Sequence, residues 1–245
     1  MKFEKTNDWA KKAAKFIIEE LEKSGIQRYK AIKWLSTILI AWAPWSWKTE
    51  FVNTILDTKN FIVIDIDKYR EYFIWYTWKN ADEYQDCSSR VATKIFDYCI
   101  KNNLKVIFDG TLTARIWVKN IEKSKKKNRK IGIVLIYQDP LISYWFTLAR
   151  QVDNKRNVSI DAFLRIYYNS IQYCFESTSQ YTDIQFIVWS KNKQRVWKQF
   201  SMSDKTKFDK YFRVDYNADT LRKKLEKLHE GDNLLTLINW IWKKK

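Results

Sequence analysis

Glycine, proline and histidine are unusually rare in this chain. Its 245 residues include 4 glycines, 2 prolines and a single histidine, His229. Because that histidine lies in a lysine-rich segment near the C-terminus, chemistry that depends on a histidine acid or base is practically excluded. No uninterrupted apolar run reaches about 18 residues, so we expect no membrane-spanning helix. The N-terminal sequence, MKFEKTND, also lacks the apolar segment of a secretory signal.

Cysteine offers neither a disulfide framework nor a metal site. The three cysteines, Cys87, Cys99 and Cys174, are odd in number, and none belongs to a CxxC pair. Disulfide-stapled domains and zinc sites need closely and regularly spaced cysteines. We therefore expect the protein to work in a reducing cytoplasm.

The chain is strongly basic. It has 45 lysines and arginines against 28 acidic residues, a net charge of +17. This charge permits binding to nucleic acid, and it equally suits an enzyme whose substrates carry several phosphates. The densest basic run, 123–130, closes a predicted helix, where cations are favourable. We interpret that run as a solvated helix end.

Apolar runs that alternate with amphipathic segments predict an α/β fold. The predicted strands are 37–41, 61–64, 104–108, 131–137 and 184–189. The predicted helices are 8–24, 48–56, 81–101, 113–127, 140–152, 160–176 and one that begins near Asn217. Since the strands are continuous apolar runs, we expect a three-layer sandwich with a mainly parallel five-stranded sheet and helices on both faces.

A single domain, 1–245, accommodates all of these elements. Its core spans about 36–190, with helix 8–24 before it and a C-terminal extension, 191–245, after it. Within the extension, a short strand is expected at 211–214 and a last apolar turn at 234–242.

Residues 38–49, ILIAWAPWSWKT, have the layout of a phosphate-binding P-loop. A buried strand ends abruptly and Lys-Thr opens a helix, as in the signature GxxxxGK(S/T). Lys48 would neutralise the β- and γ-phosphates of a nucleotide, and the Thr49 hydroxyl would hold Mg²⁺. The predicted nucleotide-binding residues are Trp42, Ala43, Pro44, Trp45, Ser46, Trp47, Lys48 and Thr49. Indoles at 42, 45 and 47, where glycine belongs, would block the close backbone approach to phosphate, so the translated chain should be inactive.

Tryptophan is over-represented to the same extent that glycine is depleted. The chain has 13 tryptophans, and the two residue types together make up about 7% of it, the ordinary share of glycine alone. We therefore hypothesise that one codon, which we take to be UGA, is read as glycine in the source organism and is translated here as tryptophan. Trp75 and Trp78 then become turn glycines, whereas Trp9, on the apolar face of helix 8–24, is compatible with a genuine tryptophan.

Acidic residues follow two of the predicted strands, at the edge of the sheet where ligands gather. Asp67, just past the second strand, is the candidate base for an acceptor hydroxyl. The alternative is that Asp67 only caps the next helix. Asp65 is interpreted as structural, or as an outer-sphere partner of the metal. Asp109 and Thr111 would bind substrate, or they belong to an ordinary strand-to-helix turn.

Two arginines follow the fourth strand. Arg150 ends a predicted helix and Arg156 lies in the polar segment 153–157. Arginines on a mobile segment can stabilise the charge of a transferring phosphoryl group. In so basic a chain, the alternative is that both belong to the solvated surface.

The P-loop, the motif Asp65-Ile66-Asp67-Lys68-Tyr69-Arg70, Asp109-Gly110-Thr111 and the stretch from Tyr137 to Arg156 together resemble the zeta-toxin kinases, over about residues 38–170. The resemblance implies a P-loop kinase fold, ATP or GTP as phosphoryl donor, Mg²⁺, and transfer to a sugar hydroxyl of UDP-N-acetylglucosamine. An antitoxin protein is the partner it suggests.

Carried over by this resemblance, Asp67, Lys48, Arg150 and Arg156 are catalytic, and Arg70, Asp109 and Thr111 contact the acceptor. Two departures concern the acceptor. Asp109 replaces the glutamate of the best-known members, and the segment 90–94 lacks the acidic residue expected to meet the amino sugar.

Two other functions fit the residues. A polynucleotide kinase is favoured by the net charge of +17. A basic binding protein that keeps an inactive P-loop is expected if the tryptophans of the loop are genuine.

Overall fold

A six-stranded β-sheet organises the structure. The structure, a computed structural model, describes Lys2 and residues 7–29, 37–42, 51–52, 58–110, 116–154, 158–181, 183–191, 197–201 and 216–230. The strands are β1 (Thr37–Trp42), β2 (Ile62–Asp65), β3 (Val106–Asp109), β4 (Ile131–Tyr137), β5 (Gln185–Lys191) and β6 (Trp197–Ser201). The helices are α1 (Asn7–Lys23), α2 (Ile66–Tyr69), α3 (Gln85–Lys101), α4 (Ile116–Lys125), α5 (Pro140–Asn154), α6 (Ile160–Gln180) and α7 (Ala218–Glu230). Short 3₁₀ helices cover Ile26–Tyr29, Thr58–Asn60, Arg70–Tyr72 and Trp78–Tyr84.

The strand order is β2-β3-β1-β4-β5-β6. Strands β1 to β5 run parallel, and β6 pairs antiparallel with β5. The predicted five-stranded parallel sheet is therefore confirmed. The sequence does not predict β6, because WKQFS is short and mixes polar and apolar residues without a continuous apolar run.

Both faces of the sheet are buried, which explains why its strands are apolar without alternation. Leu39 and Ala41 of β1 face the larger core, which includes buried residues of α1, α3, α4 and α6. Ile38 and Ile40 face a smaller core on the other side, together with Phe51. The central position of β1 thus places the start of the P-loop between two packed layers.

Helices cover the sheet from both ends of the chain. Helix α1 packs its buried alanines and Ile17 against α3, and α7 packs Leu221 and Leu225 near α5 and α6. Helix α1 ends just before Gly25, whose φ of 82° is the left-handed conformation that stops helices. No helix in the described ranges has the length and apolar character needed to cross a bilayer. The strand predicted at 211–214 and the turn predicted at 234–242 lie outside the described residues.

Arg129 joins three strands at the amino edge of the sheet. Its Nε donates to Thr37 Oγ1 at 2.9 Å, Nη1 donates to Asn103 Oδ1 at 3.2 Å, and Nη2 donates to the carbonyl oxygen of Leu104. These partners precede or begin β1 and β3, while Arg129 itself precedes β4. Burial lowers the pKa of Arg129 to about 10. The predicted site lies at the opposite edge, so this cluster is structural.

Trp75 has a backbone conformation that favours glycine. Its φ is 64° and its side chain is 81% exposed. The turn is held by Asn80, whose Nδ2 donates to the carbonyl oxygen of Trp75 at 2.9 Å. A bulky residue rarely adopts positive φ. Because the indole is largely exposed, burial does not explain a tryptophan at this position. Trp75 therefore supports the glycine hypothesis outside the P-loop, whereas Trp78 begins a 3₁₀ helix with no such sign.

Candidate active site

The carboxyl ends of the parallel strands meet at one edge of the sheet. Asp109, the last residue of β3, lies in register with Asp65 of β2 on one side and Ile40 of β1 on the other. Strand β4 flanks β1 on its other side, where Trp42 lies in register with Ile136. Both acidic residues therefore lie at the level where β1 leads into the P-loop.

Several predicted site residues lie outside the described part of the chain. These are Ala43, Pro44, Trp45, Ser46, Trp47, Lys48 and Thr49 of the P-loop, Thr111 after β3, and Arg156. Trp42 is described as the end of β1, and Arg150 as part of the backbone of α5. Their roles stay predictions.

The two described residues that follow the P-loop motif pack against the sheet. Phe51 and Val52 are helical and buried in the smaller core. The ring of Phe51 meets Trp189 of β5 edge to face, with 5.1 Å between ring centroids. This contact supports the strand–loop–helix layout that the P-loop pattern predicts, because the chain after the loop returns to the face of the sheet.

Asp65, not Asp67, caps helix α2. Asp65 Oδ1 accepts from the backbone N–H of Asp67 at 3.0 Å, and the extended backbone at Asp65 is typical of an N-cap. The interpretation of Asp65 as structural agrees with this geometry. The alternative in which Asp67 serves only as the cap is wrong, because Asp67 already lies inside the helix.

Asp67 is paired with a buried arginine. Its Oδ1 lies 2.9 Å from Arg70 Nη1, and the side chain of Asp67 is 27% exposed while that of Arg70 is 3% exposed. The second terminal nitrogen of Arg70, Nη2, donates to Oε1 of Gln85 at the start of α3. The carboxylate of Asp67 is thus partly exposed to solvent, and its ion pair with the buried Arg70 restrains its orientation. The sequence indicates no role for Gln85, since it lies 15 residues from Arg70.

Asp109 and Gly110 are enclosed beside the same helix. Asp109 is 3% exposed. A Cβ at position 110 would lie 3.2 Å from Ile66 Cδ1 and 3.4 Å from Phe108 Cε1. Glycine therefore lets β3 end close against the first turn of α2, the turn that carries Asp67.

Gln138, directly after β4, is a buried amide with incomplete hydrogen bonding. It is 2% exposed, and within the described ranges its Oε1 has no hydrogen-bond partner. The next residue, Asp139, caps α5 by accepting from the N–H groups of Leu141 and Ile142 at 2.9 and 3.2 Å. An unsatisfied buried amide costs about 1–3 kcal/mol, so it indicates a group absent from the described residues. A glutamine after a strand is no signature of any chemistry, which is why sequence reasoning missed it.

A zeta toxin family model matches residues 29–201, well over half of the chain. The chain belongs to the zeta toxin family. The match confirms the family predicted from the P-loop and the acidic motifs. No curated protein sequence matches this zeta-toxin chain.

Solved structures similar to this zeta-toxin chain share its fold. One belongs to the PezAT chromosomal toxin–antitoxin system of Streptococcus pneumoniae, with a TM-score of 0.64, 17% identity, and 92% of this chain and 96% of that chain covered. A second is an AvrRxo1-ORF1:AvrRxo1-ORF2 structure with sulphate ions, with a TM-score of 0.60, 10% identity, and coverages of 95% and 85%. A third is AvrRxo1-ORF1:-ORF2 with ATP, with a TM-score of 0.55, 11% identity, and the same coverages. At these identities, the likeness shows a P-loop kinase-like fold.

Membership of the zeta toxin family supports a P-loop phosphotransferase of the kinase type. Such an enzyme needs a nucleotide, a carboxylate near the acceptor and cationic groups near the phosphates. Among the described residues, Asp67 is a partly exposed carboxylate close to the end of β2, where the sequence predicts the acceptor side.

The cysteines of this zeta-toxin chain are unsuited to nucleophilic chemistry. Cys87, Cys99 and Cys174 are all buried thiols. Burial raises the pKa of the Cys99 thiol to about 12 and that of Cys174 well above its usual value. Since the thiolate is the reactive form, both are inert at neutral pH.

Among the described residues, no group of three or more histidine, cysteine, aspartate or glutamate side chains is placed to hold a metal ion. Mg²⁺ commonly needs only one or two protein oxygens, with water and substrate phosphates as the other ligands. Asp65 and Asp109, register partners at the carboxyl edge, are hard oxygen donors of the kind that suits it. The donor set at this edge is therefore compatible with Mg²⁺.

Proposed function

We propose that this chain transfers the γ-phosphoryl group of ATP or GTP to a hydroxyl group of a small molecule, with UDP-N-acetylglucosamine as the first candidate acceptor. The observation that carries the proposal is Asp67, a carboxylate that is 27% exposed, lies at the carboxyl edge of the sheet and is held by a buried arginine. A general base needs this combination of access and fixed orientation.

The phosphates are bound by the P-loop. With glycine at 42, 45 and 47, the backbone N–H groups of the loop, other than at Pro44, surround the phosphates and Lys48 neutralises their charge. The Thr49 hydroxyl would hold Mg²⁺, and Asp65 and Asp109, at the carboxyl edge of the sheet, would accept hydrogen bonds from its water ligands. When bound, Mg²⁺ would offset the negative charge of the phosphates.

Asp67 accepts the proton of the acceptor hydroxyl as the new O–P bond forms. The bond from the γ-phosphorus to the β–γ bridging oxygen breaks, and ADP or GDP leaves. Arg150 and Arg156, on and after α5, stabilise the charge on the transferring phosphoryl group. Asp109 and Thr111 line the acceptor side. The buried position of Arg70 supports a role through its ion pair with Asp67, and its direct contact with substrate stays a prediction.

Two synthetic genes test the nucleotide site, one encoding tryptophan and one encoding glycine at 42, 45 and 47. The glycine chain is expected to bind ATP and to transfer labelled phosphate, and the tryptophan chain to do neither. If the glycine chain binds no ATP, or transfers no labelled phosphate to any of a panel of hydroxyl-bearing small molecules that includes UDP-N-acetylglucosamine, the kinase proposal is contradicted.

Two substitutions in the glycine chain test the catalytic residues. We expect Lys48→Ala to lower kcat by about 100-fold or more, and Asp67→Asn by about 100- to 10,000-fold. Lys119→Ala and Asp82→Asn, at exposed positions, serve as matched controls and should leave kcat unchanged. Full activity in either Lys48→Ala or Asp67→Asn would show that the assigned mechanism is wrong.

A protein partner is also proposed. The similar structures include the PezAT toxin–antitoxin system of Streptococcus pneumoniae and the two-component AvrRxo1-ORF1:AvrRxo1-ORF2 assembly. We infer that an antitoxin encoded beside this chain binds it and suppresses phosphotransfer. Co-expression of the adjacent reading frame should yield a copurifying complex without kinase activity, and an active complex would contradict the inference.

A further inference from the structure

We propose that Gln85 is a positioning residue for the base Asp67 and acts on it through the buried guanidinium of Arg70. This inference rests on the proposed kinase function. It adds a residue from a different element, the first turn of α3, to the machinery of the site.

The three side chains form a continuous line of contacts: the partly exposed Asp67, the buried Arg70 and the exposed Gln85. Asp67 lies in α2, Arg70 in the 3₁₀ turn after it, and Gln85 at the start of α3. Arg70 Nη1 contacts Asp67 Oδ1 at 2.9 Å, and Arg70 Nη2 donates to Gln85 Oε1. Because Arg70 is 2% exposed, solvent has little access to replace these partners.

The rigid shape of the guanidinium explains how Gln85 can act at a distance. All of its nitrogen atoms lie in one plane with a fixed fork geometry. A hydrogen bond on Nη2 therefore sets the plane in which Nη1 meets the carboxylate. Without Gln85, the guanidinium could rotate about its side-chain torsions, and Asp67 would lose a single preferred orientation.

Gln85 is itself oriented for this task. Arginine has only donors, so the amide must present Oε1 to Arg70. Its Nε2 then donates to Ser89 Oγ at 3.1 Å, one turn further along α3. The amide thus has a partner for each end, and its rotamer is fixed from both sides.

The experiment uses the full chain with glycine at 42, 45 and 47, ATP as donor and UDP-N-acetylglucosamine as the probe acceptor. Gln85→Leu removes the acceptor for Arg70 and should lower kcat by about 10- to 100-fold, the size of effect that misplacement of a catalytic group by about 1 Å can have. The KM for ATP should stay unchanged. Gln85→Glu, which keeps an acceptor oxygen, should retain most of the activity.

A control and a double variant separate positioning from loss of stability. Asp97→Asn breaks an exposed ion pair with Lys123 near the other end of the same helix, 2.5 Å between Oδ1 and Nζ, and should leave kcat unchanged. If Gln85 acts only through Asp67, then Gln85→Leu should have no further effect in a chain that already carries Asp67→Asn.

Crystal structures of the parent chain and of Gln85→Leu provide a readout that does not depend on activity. The inference expects the Asp67 carboxylate or the Arg70 guanidinium to move. An unchanged Asp67–Arg70 geometry overturns it, as does a Gln85→Leu chain with the parent's kcat or with effects that multiply with Asp67→Asn. A parent chain that phosphorylates no acceptor contradicts the proposed function instead, while the crystal structures still test the positioning.

Discussion

At residue 75 the backbone favours glycine, and the exposed indole makes no compensating core contact. Trp75→Gly should therefore raise the free energy of unfolding by about 1 kcal/mol, the cost of holding a bulky residue in the left-handed region. Urea unfolding of both chains measures this difference. Trp117→Gly is the contrasting substitution, because Trp117 is 2% exposed and meets Phe108 edge to face at 5.9 Å.

Trp117→Gly should lower the free energy of unfolding by about 3–5 kcal/mol or more. Loss of stability in Trp75→Gly comparable with that in Trp117→Gly would contradict the assignment of position 75. Mass spectrometry of the native peptide that contains residue 75 gives the direct answer, since glycine is the expected residue.

Gln138 is the second residue with an unusual environment, because its buried Oε1 has no hydrogen-bond partner among the described residues. If its buried amide contacts the nucleotide or the acceptor, Gln138→Leu should raise the KM of that substrate while leaving the folded chain at least as stable. Leucine is similar in size and has no polar oxygen, so the variant avoids the free-energy cost of burying an oxygen without a hydrogen bond. Unchanged kinetic constants for both substrates would contradict a role in binding.

The buried thiols allow a prediction that depends on pH. A raised pKa keeps Cys99 and Cys174 protonated at pH 8, where an ordinary cysteine is partly thiolate. Neither should react with a thiol reagent at that pH in the native chain, and both should react after unfolding in urea. Rapid modification of either thiol in the folded protein would contradict the burial that the structure shows.

At the scale of elements, Arg129 holds the amino ends of three strands together. Arg129→Met leaves the hydroxyl of Thr37 and the carbonyl of Leu104 without this donor, and we expect a loss of about 2–4 kcal/mol in the free energy of unfolding. Arg222→Met is the matched control. Its ion pair with Asp161 is exposed to solvent and should contribute little to stability. Equal losses in the two variants would contradict the structural role of Arg129.

Elements whose pattern is local were predicted well. The parallel strands were located within two residues at most boundaries, because each is a continuous apolar run that a sheet buried on both faces requires. The sequence suggests Asp67 as the alternative cap of α2, whereas the cap is Asp65. Aspartate is a good cap residue at either position, and only the backbone conformation distinguishes the two. Strand β6 was missed because an edge strand gains its pairing from a neighbour rather than from its own composition.

At the scale of the whole molecule, the net charge of +17 bears on the choice of acceptor. A small-molecule kinase should keep its rate within a few-fold between 50 and 200 mM salt. A polynucleotide acceptor bound through many phosphates should instead lose about 1,000- to 100,000-fold in affinity over that range. Rates with UDP-N-acetylglucosamine and with a short oligonucleotide, measured at both salt concentrations, distinguish the two functions. A steep salt dependence with the oligonucleotide as the better acceptor would favour the polynucleotide kinase.

The sequence by itself determined the family, the parallel α/β sheet and the edge at which Asp67 and Asp109 lie. These features follow from short-range patterns: apolar runs, the Lys48-Thr49 pair that ends the P-loop, and acids placed directly after strands. Only the tertiary structure decided that the buried Arg70 bonds to the exposed Gln85 and that Trp75 has positive φ. It also decided that Gln138 is buried with an oxygen that has no hydrogen-bond partner among the described residues. The reason is that side-chain pairing, burial and the sign of φ depend on which elements pack together. Contacts between residues far apart in the chain produce no periodic pattern in the sequence.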